Sequence, residues 1–377
     1  MTIEKRLVNP SRLNDVQFDG SHKEKAAMPV RDSRSVVGRE ISSAIAINEH
    51  GQVAGTSGNA DGLTRAVLWD RGTVTDLGIL PGGTHTVATA INNRGQVAGY
   101  GDTASGQQHA FLWDDGTMID LGALEPGGSG VARDLNDNGQ VVGEGETAAT
   151  GTTHGTIWQH GTVTDLGAGV AFTNNKRGQV VGYTATGGAF VWSRGTTTRL
   201  GFLPGGTFSI ANDINNRGEI VGWSAVASGS SHAFIWRRRA MTDVGTLPGG
   251  TNSVANAVND HAQVVGVSSS APGQSRGFIW ENGEMTAIEP LPGDTGSEAV
   301  AINRRAQVLA FSYSSSGGAL LLWQDGATID LTIGANPQPD AMRHALNNRG
   351  EVVGQHLTAS GAIHAALWTT RRLRDER

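Results

Sequence analysis

From residue 41 onward the chain repeats one pattern of apolar and polar positions. Residues 84–128 read THTVATAINNRGQVAGYGDTASGQQHAFLWDDGTMIDLGALEPGG, where four short apolar segments alternate with turn signals. VATAI ends in the turn NNRG, and QVAGY follows it. A loop of polar and small residues leads to HAFLW, the turn DDGT joins this to MIDLG, and a Pro-Gly-Gly loop closes the unit. Segments this short fit strands and fall short of helices. Asn, Asp and Gly at the turns are predicted to supply the positive-φ residues of tight hairpins.

The same unit recurs with a tryptophan beat. Trp69, Trp113, Trp158, Trp192, Trp236, Trp280, Trp323 and Trp368 stand 44, 45, 34, 44, 44, 43 and 45 residues apart. The turn asparagines keep the same count: Asn48, Asn92, Asn136, Asn175, Asn215, Asn259, Asn303 and Asn347. Units of this length cannot bury their own apolar faces, so they must stack on their neighbours. The prediction is an all-β chain, an eight-bladed β-propeller with four antiparallel strands per blade, at the upper end of the usual blade range. Residues 41–377 form the propeller. Residues 1–40 form a charged N-terminal segment, partly flexible or strapped to it. The fourth unit lacks the Pro-Gly-Gly loop and most of the loop before GAFVW, yet keeps its four strand segments.

Residue size predicts which strand is innermost. Blades converge at the axis and diverge outward, so small side chains belong inside. The alanine-rich first segment (Ala88 and Ala90) is therefore predicted at the channel, and the tryptophan-bearing third segment toward the rim. Either MPVRD at 28–32 or RRLRD at 371–375 is predicted to complete the last blade.

Composition narrows the function. The 377 residues include 54 glycines and no cysteine, which removes disulfides, thiolate metal sites and a cysteine nucleophile. A formal charge of −6 lacks the concentrated basic face that nucleic acid demands. The longest apolar run, Ala319 to Trp323, is far too short to cross a bilayer. No apolar stretch of a secretory signal follows the start, so the product as written is expected in the cytoplasm. No cofactor is expected, and the chain is expected to be a monomer that takes a small molecule or a protein partner.

The recurring H-A-F-x-W, as in HAFLW 109–113 and HAFIW 232–236, resembles the HAF-repeat family. The INNRGQVVG-like segments and DLGTLPGG-like loops share the resemblance, which covers roughly residues 41–375. It implies a propeller-like fold and an extracellular setting, and no general activity. Fold alone does not decide chemistry.

Repeated polar residues are expected to be structural. His109, His154, His232 and His364 occupy one position of different units and should lie on a wide ring rather than around one ion. Asp76, Asp120, Asp165, Asp243 and Asp330 recur on the next strand, where a His–Asp hydrogen bond would satisfy both. The run DLNDNG at 134–139 has the look of a calcium loop, but it occupies the repeated hairpin position and reads as a tight turn. No metal ligands are assigned. The tryptophans are assigned to the core.

Departures from the repeat point to function. At the position of Thr89 the other units carry Ile45, Arg133, Phe172, Asn212, Asn256, Val300 and His344. After the second segment's glycine lie Thr56, Tyr100, Glu144, Tyr183, Trp223, Val267, Phe311 and Gln355. Both sets are expected near the strand ends joined by the longer loops. Tyr183, Trp223, Phe311, Phe172, Asn212 and Asn256 would bind a ligand in an axial funnel, as clefts of apolar walls with a few polar groups do. The alternative is a cofactor-independent enzyme of lyase or cyclase type, with Glu144 and His344 as acid and base beside Arg133.

Overall fold

The computed structural model of the chain describes residues 2–6, 41–58, 62–271, 273–315, 317–331, 344–357 and 363–371. Every regular element among them is a β-strand. They form seven sheets of antiparallel pairs, six of them with their strands in sequence order. Five sheets have four strands each, as in Thr86–Ile91, Val97–Asp102, Gln108–Asp114 and Thr117–Gly122. A seven-stranded sheet spans units 3 and 4, because Thr162–Asn174 runs without interruption from the outer edge of one to the inner edge of the next. This is where the sequence lacks its Pro-Gly-Gly loop. A three-stranded sheet closes the series.

The sheets pack face to face, and the core is divided between them. One cluster joins Ala54, Leu68 and Leu77 of unit 1 to Ala88, Val97 and Phe111 of unit 2. Equivalent clusters join each following pair, and the largest contains Val300 and Leu309 of unit 7, Val353 and Trp368 of unit 8, and Val67 and Trp69 of unit 1. Radial packing of four-stranded sheets in this manner is the β-propeller arrangement. First strands neighbour one another from unit to unit, with small residues such as Ala46 and Ala90 buried there. The tryptophans lie on the third strands, as predicted. Trp69, Trp158, Trp280 and Trp368 are buried, and the other four of the beat are half-buried.

The turn asparagines do something the sequence did not reveal. Each Nδ2 donates to the backbone carbonyl of the equivalent asparagine in the next unit, at 2.8–3.0 Å, from Asn48→Asn92 through Asn303→Asn347. The eighth, Asn347, donates back to Asn48 at 3.0 Å. Each Oδ1 accepts two backbone N–H groups of its own turn, as Asn92 does from Arg94 and Gln96. The positive φ belongs to another turn residue: Gly95 at +80° and its counterparts, replaced by Ala262 and Ala306 at +62° and +57°. Of the Asn, Asp and Gly expected to supply the left-handed conformation, glycine does so here and Asp115 and Asn282 do so in outer turns, and the expectation is corrected for these asparagines alone. Their amides are needed as bridges.

The edge of the last sheet is also corrected. Thr2–Arg6 pairs antiparallel with Ile363–Arg371, in the register Thr2↔Arg371 to Arg6↔Leu367. Arg371, the first residue of RRLRD, belongs to the third strand itself. MPVRD 28–32 and residues 372–375 lie outside the described residues. A strand from the other terminus covers an edge that would otherwise present unpaired backbone groups. Ile41 also bridges Ile363, and Ser42 Oγ accepts from Ala365 N at 2.9 Å.

Candidate ligand-binding site

The variable position of the first strand is a β-bulge in seven units. Register shifts fall between Ala88 and Ala90, between Ala132 and Asp134, and at each equivalent pair. The residue left over is Ile45, Thr89, Arg133, Phe172, Asn212, Asn256 or Val300. An extra residue in one strand re-aims its side chain, which frees the position from the inward and outward alternation of its neighbours. The bulge sits within the strand rather than at its end, a refinement of the expected placement.

Several of these side chains serve the fold. Thr89 Oγ1 donates to Ala132 O at 3.0 Å, Asn212 Nδ2 to Ala255 O at 2.9 Å, and Asn256 Nδ2 to Ala299 O at 2.9 Å. Each bond crosses to the next unit, and Asn212 and Asn256 are buried. Val300 and Phe311 are buried too, and Phe311 packs in the core with Leu320 and Val300. A ring enclosed there offers a ligand no wall. The structure places Asn212, Asn256 and Phe311 in the framework.

The remaining aromatic candidates come together with the charged pair. Arg133 donates to Glu144 Oε1 at 2.8 Å, with the guanidinium carbon 5.6 Å from the centre of the Phe172 ring. Phe172 and Tyr183 follow with ring centres 5.7 Å apart, then Tyr183 and Phe208 at 6.5 Å. Phe208 stacks on Trp223 at 5.3 Å with planes 29° apart. One row of contacts thus runs Glu144–Arg133–Phe172–Tyr183–Phe208–Trp223 across units 3, 4 and 5. Arg133 is exposed, and the other five side chains are half-buried, so the row is packed on one side and open on the other.

The short fourth unit explains why the row forms there. Gly182 to Trp192 is four residues shorter than Gly99 to Trp113. The tight turn that Gly106 N→Thr103 O closes in unit 2 at 2.9 Å is closed here by Gly187 N→Thr184 O at 2.8 Å, two residues earlier on each strand. A Cβ on Gly187 would stand 2.6 Å from Phe208, so the turn passes directly against that ring. Phe208 was not among the sequence candidates. It precedes the first strand, where unit 2 has His85 and unit 6 has Asn252, and comparing that third position would have found it.

His344 lies elsewhere. Its Nε2 is 3.5 Å from Asp134 Oδ1, so unit 8 reaches unit 3, but at Asp134 rather than Glu144. Asp134 is buried where five other units have alanine and units 4 and 5 have Thr173 and Asp213, and it accepts from Leu135 N at 2.7 Å, Asn174 N at 3.0 Å and Thr173 Oγ1 at 2.5 Å. The DLNDNG run is the repeated turn: Asn136 Oδ1 accepts from Asn138 N and Gln140 N. The His–Asp pairs expected of the repeat are present for His109–Asp120, His154–Asp165 and His232–Asp243, at 2.8–3.0 Å. Among the described residues no three His, Asp or Glu groups converge as a metal site requires.

Two further features carry charge. On the loop side of unit 2, burial pushes the Asp102 carboxyl up. The N–H groups of His85 and Thr84 and the Thr84 hydroxyl outweigh that and hold it at about 2. At the opposite face a cavity of about 340 Å³ is lined by Glu49, Lys176, Asn216, Asp260, Arg304 and Asn348, among others. Lys176 Nζ pairs with Asp137 at 2.8 Å, and Arg304 pairs with Asp260 at 3.0 Å. Burial raises both carboxyls, while Lys176 and Asn93 at Asp137, and Asn216 and Arg304 at Asp260, lower them further.

No family model matches the chain, and no curated protein matches it. Among solved structures it is similar to the β-propeller domain of the Trilobed protease from Pyrococcus furiosus, with 12% identity and a TM-score of 0.48 over 78% of this chain and 96% of that one. It is similar to the acylaminoacyl peptidase of Pyrococcus horikoshii, with 10% identity and a TM-score of 0.47 over 79% of this chain. There it spans 53% of the peptidase's length. TolB from Acinetobacter baumannii matches at 10% identity and a TM-score of 0.38, over 70% and 76% of the two chains.

Proposed function

We propose that this protein is an eight-bladed β-propeller that binds a small molecule through a funnel on the side of its longer loops. The row from Glu144 to Trp223 makes the contacts. Eight blades are supported by the asparagine bridges, which take eight steps and return to Asn48. The repeated H-A-F-x-W motif supports membership of the HAF-repeat family.

The observation that carries the binding reading is the unbroken row itself. Four rings and an ion pair meet across three units at the one place where the repeat is shortened. Half-buried aromatic faces take up the flat apolar face of a ligand, and Arg133 supplies directed donors for a carboxylate or hydroxyl group beside them. The lyase or cyclase alternative draws no support from Glu144 and His344 as an acid–base couple, since each is engaged with a different partner.

Screening monosaccharides, nucleosides and aromatic acids by ligand-observed NMR tests the reading. A compound bound by the wild type should be lost with Arg133→Ala and with Trp223→Ala, while thermal stability changes little. If Arg133→Ala and Glu144→Gln bind as wild type and Trp223→Ala alone abolishes binding, the surface is an apolar docking site and the small-molecule reading falls.

A further inference from the structure

We infer that the outer hairpin of unit 5 is a separate binding site for an oxyanion, a phosphate or sulfate ester of a hydroxylated small molecule. Five other units tie two of their hairpins together through a glutamine amide. Gln52 Nε2 donates to Asp70 at 3.1 Å, Gln96 to Asp114 at 2.7 Å and Gln263 to Glu281 at 3.1 Å. This bond ties the turn after the first strand to the residue after the tryptophan. In unit 5 the two positions are Glu219 and Arg237.

Those two charges do not close on each other. Glu219 Oε2 accepts from Asn215 Nδ2 at 2.6 Å, as Gln52 Oε1 does from Asn48. A cavity of about 530 Å³ opens between the hairpins, lined by Arg217, Gly218, Glu219, Arg237 and Arg238. Unit 8 shows what neutralisation looks like at the same positions, where Arg349 grips Glu351 at 2.5 Å. In unit 5, among the described residues, none of the guanidiniums of Arg217, Arg237 and Arg238 has an ion pair. Three cations thus face one carboxylate in a chain whose formal charge is −6.

The backbone gives an independent sign. Six hairpins place glycine in the second left-handed position, among them Gly116 at +85° and Gly195 at +82°. Unit 5 places Arg239 there, at +64°. A non-glycine side chain in that conformation is strained, and such outliers concentrate at functional sites. The RRR hairpin is therefore held in place against its own conformational preference.

The chemistry follows from the donors. Guanidinium forks match the oxygens of a tetrahedral oxyanion in pairs, and three of them offset a doubly charged group. Glu219 repels a bare anion but accepts a hydroxyl hydrogen from the scaffold that bears it. This selects an ester over the free ion.

Titration calorimetry of the full chain at fixed ionic strength, with glucose 6-phosphate, inorganic phosphate and inorganic sulfate as probes, tests the site. The sugar phosphate should bind at one site and more tightly than either free ion. Arg237→Gln with Arg238→Gln should weaken it by about tenfold or more. Arg217→Gln should weaken it less, and Arg305→Gln, away from both sites, should leave it unchanged. All these side chains are exposed, and coincident thermal transitions would verify that the variants fold. Equal binding by the double variant, no binding by the wild type, or an adventitious ion only, bound equally at any ionic face and lost to salt, would overturn the proposal.

Discussion

Two levels of the inner strands, three residues apart, follow opposite rules. At the level of Asn92 all eight units carry asparagine, and every amide makes the same bridge to the next unit. At the level of Thr89 the eight units carry seven different residue types, and no single bond is common to them. A buried polar group whose two ends are both committed leaves no room for substitution. A bulge that re-aims its side chain imposes no such demand, so the position is open to whatever a ligand requires.

The sharpest way to break this comparison is to remove one member of each level. Asn136→Ala removes the bridge to the Asn175 carbonyl, which keeps only Gly178 N, and leaves two turn N–H groups without partners, and should cost about 2–4 kcal/mol in chemical denaturation. Thr89→Ala removes bonds from a half-buried hydroxyl and should cost about 1 kcal/mol. Equal losses would mean that the bulge level is also framework throughout.

Acid should sharpen the contrast between the two faces. Asp102 has its folded pKa depressed from 3.8 to about 2, so its contribution to stability is complete above the unfolded value and is lost as pH falls through the folded one. Stability should therefore decline between pH values near 4 and 2. Asp102→Asn should be less stable than wild type at neutral pH, with the gap narrowing across that window in thermal melts. A constant gap would show that the carboxylate's charge contributes nothing there.

The smallest effect concerns two turns. Ala262 and Ala306 hold left-handed conformations that glycine adopts in the other units. Ala306→Gly relieves that strain but gives back unfolded-state entropy, and should raise stability by about 0.5–1 kcal/mol. Destabilisation in a denaturant titration would mean that the alanine methyl is needed by its neighbours.

Much of this fold is legible in the chain because periodicity reports burial directly. The Trp69 to Trp368 beat places the third strands, and the alanines of the first strands mark the inner positions. The edge strand Thr2–Arg6 is not legible in that way. Five residues outside the repeat carry no period, and their pairing with Ile363–Arg371 depends on the two chain ends meeting in space. The site divides similarly. Aligning the units singles out Arg133, Phe172, Tyr183 and Trp223, but it equally singles out Asn256 and Phe311, because variation alone cannot separate an open position from a differently packed one. Phe208 joins the row only through the short turn at Gly187, a three-dimensional consequence of residues missing from unit 4.

The central claim is that departures clustered in units 3 to 5 form a binding row on a framework held by the repeated residues. Saturation-transfer NMR of the wild type and of the Arg133→Ala, Trp223→Ala double variant, against monosaccharides, nucleosides and aromatic acids, tests this most directly. The account predicts signals that disappear in the double variant and persist with Arg305→Gln on the opposite face. Signals retained in full by the double variant would contradict it.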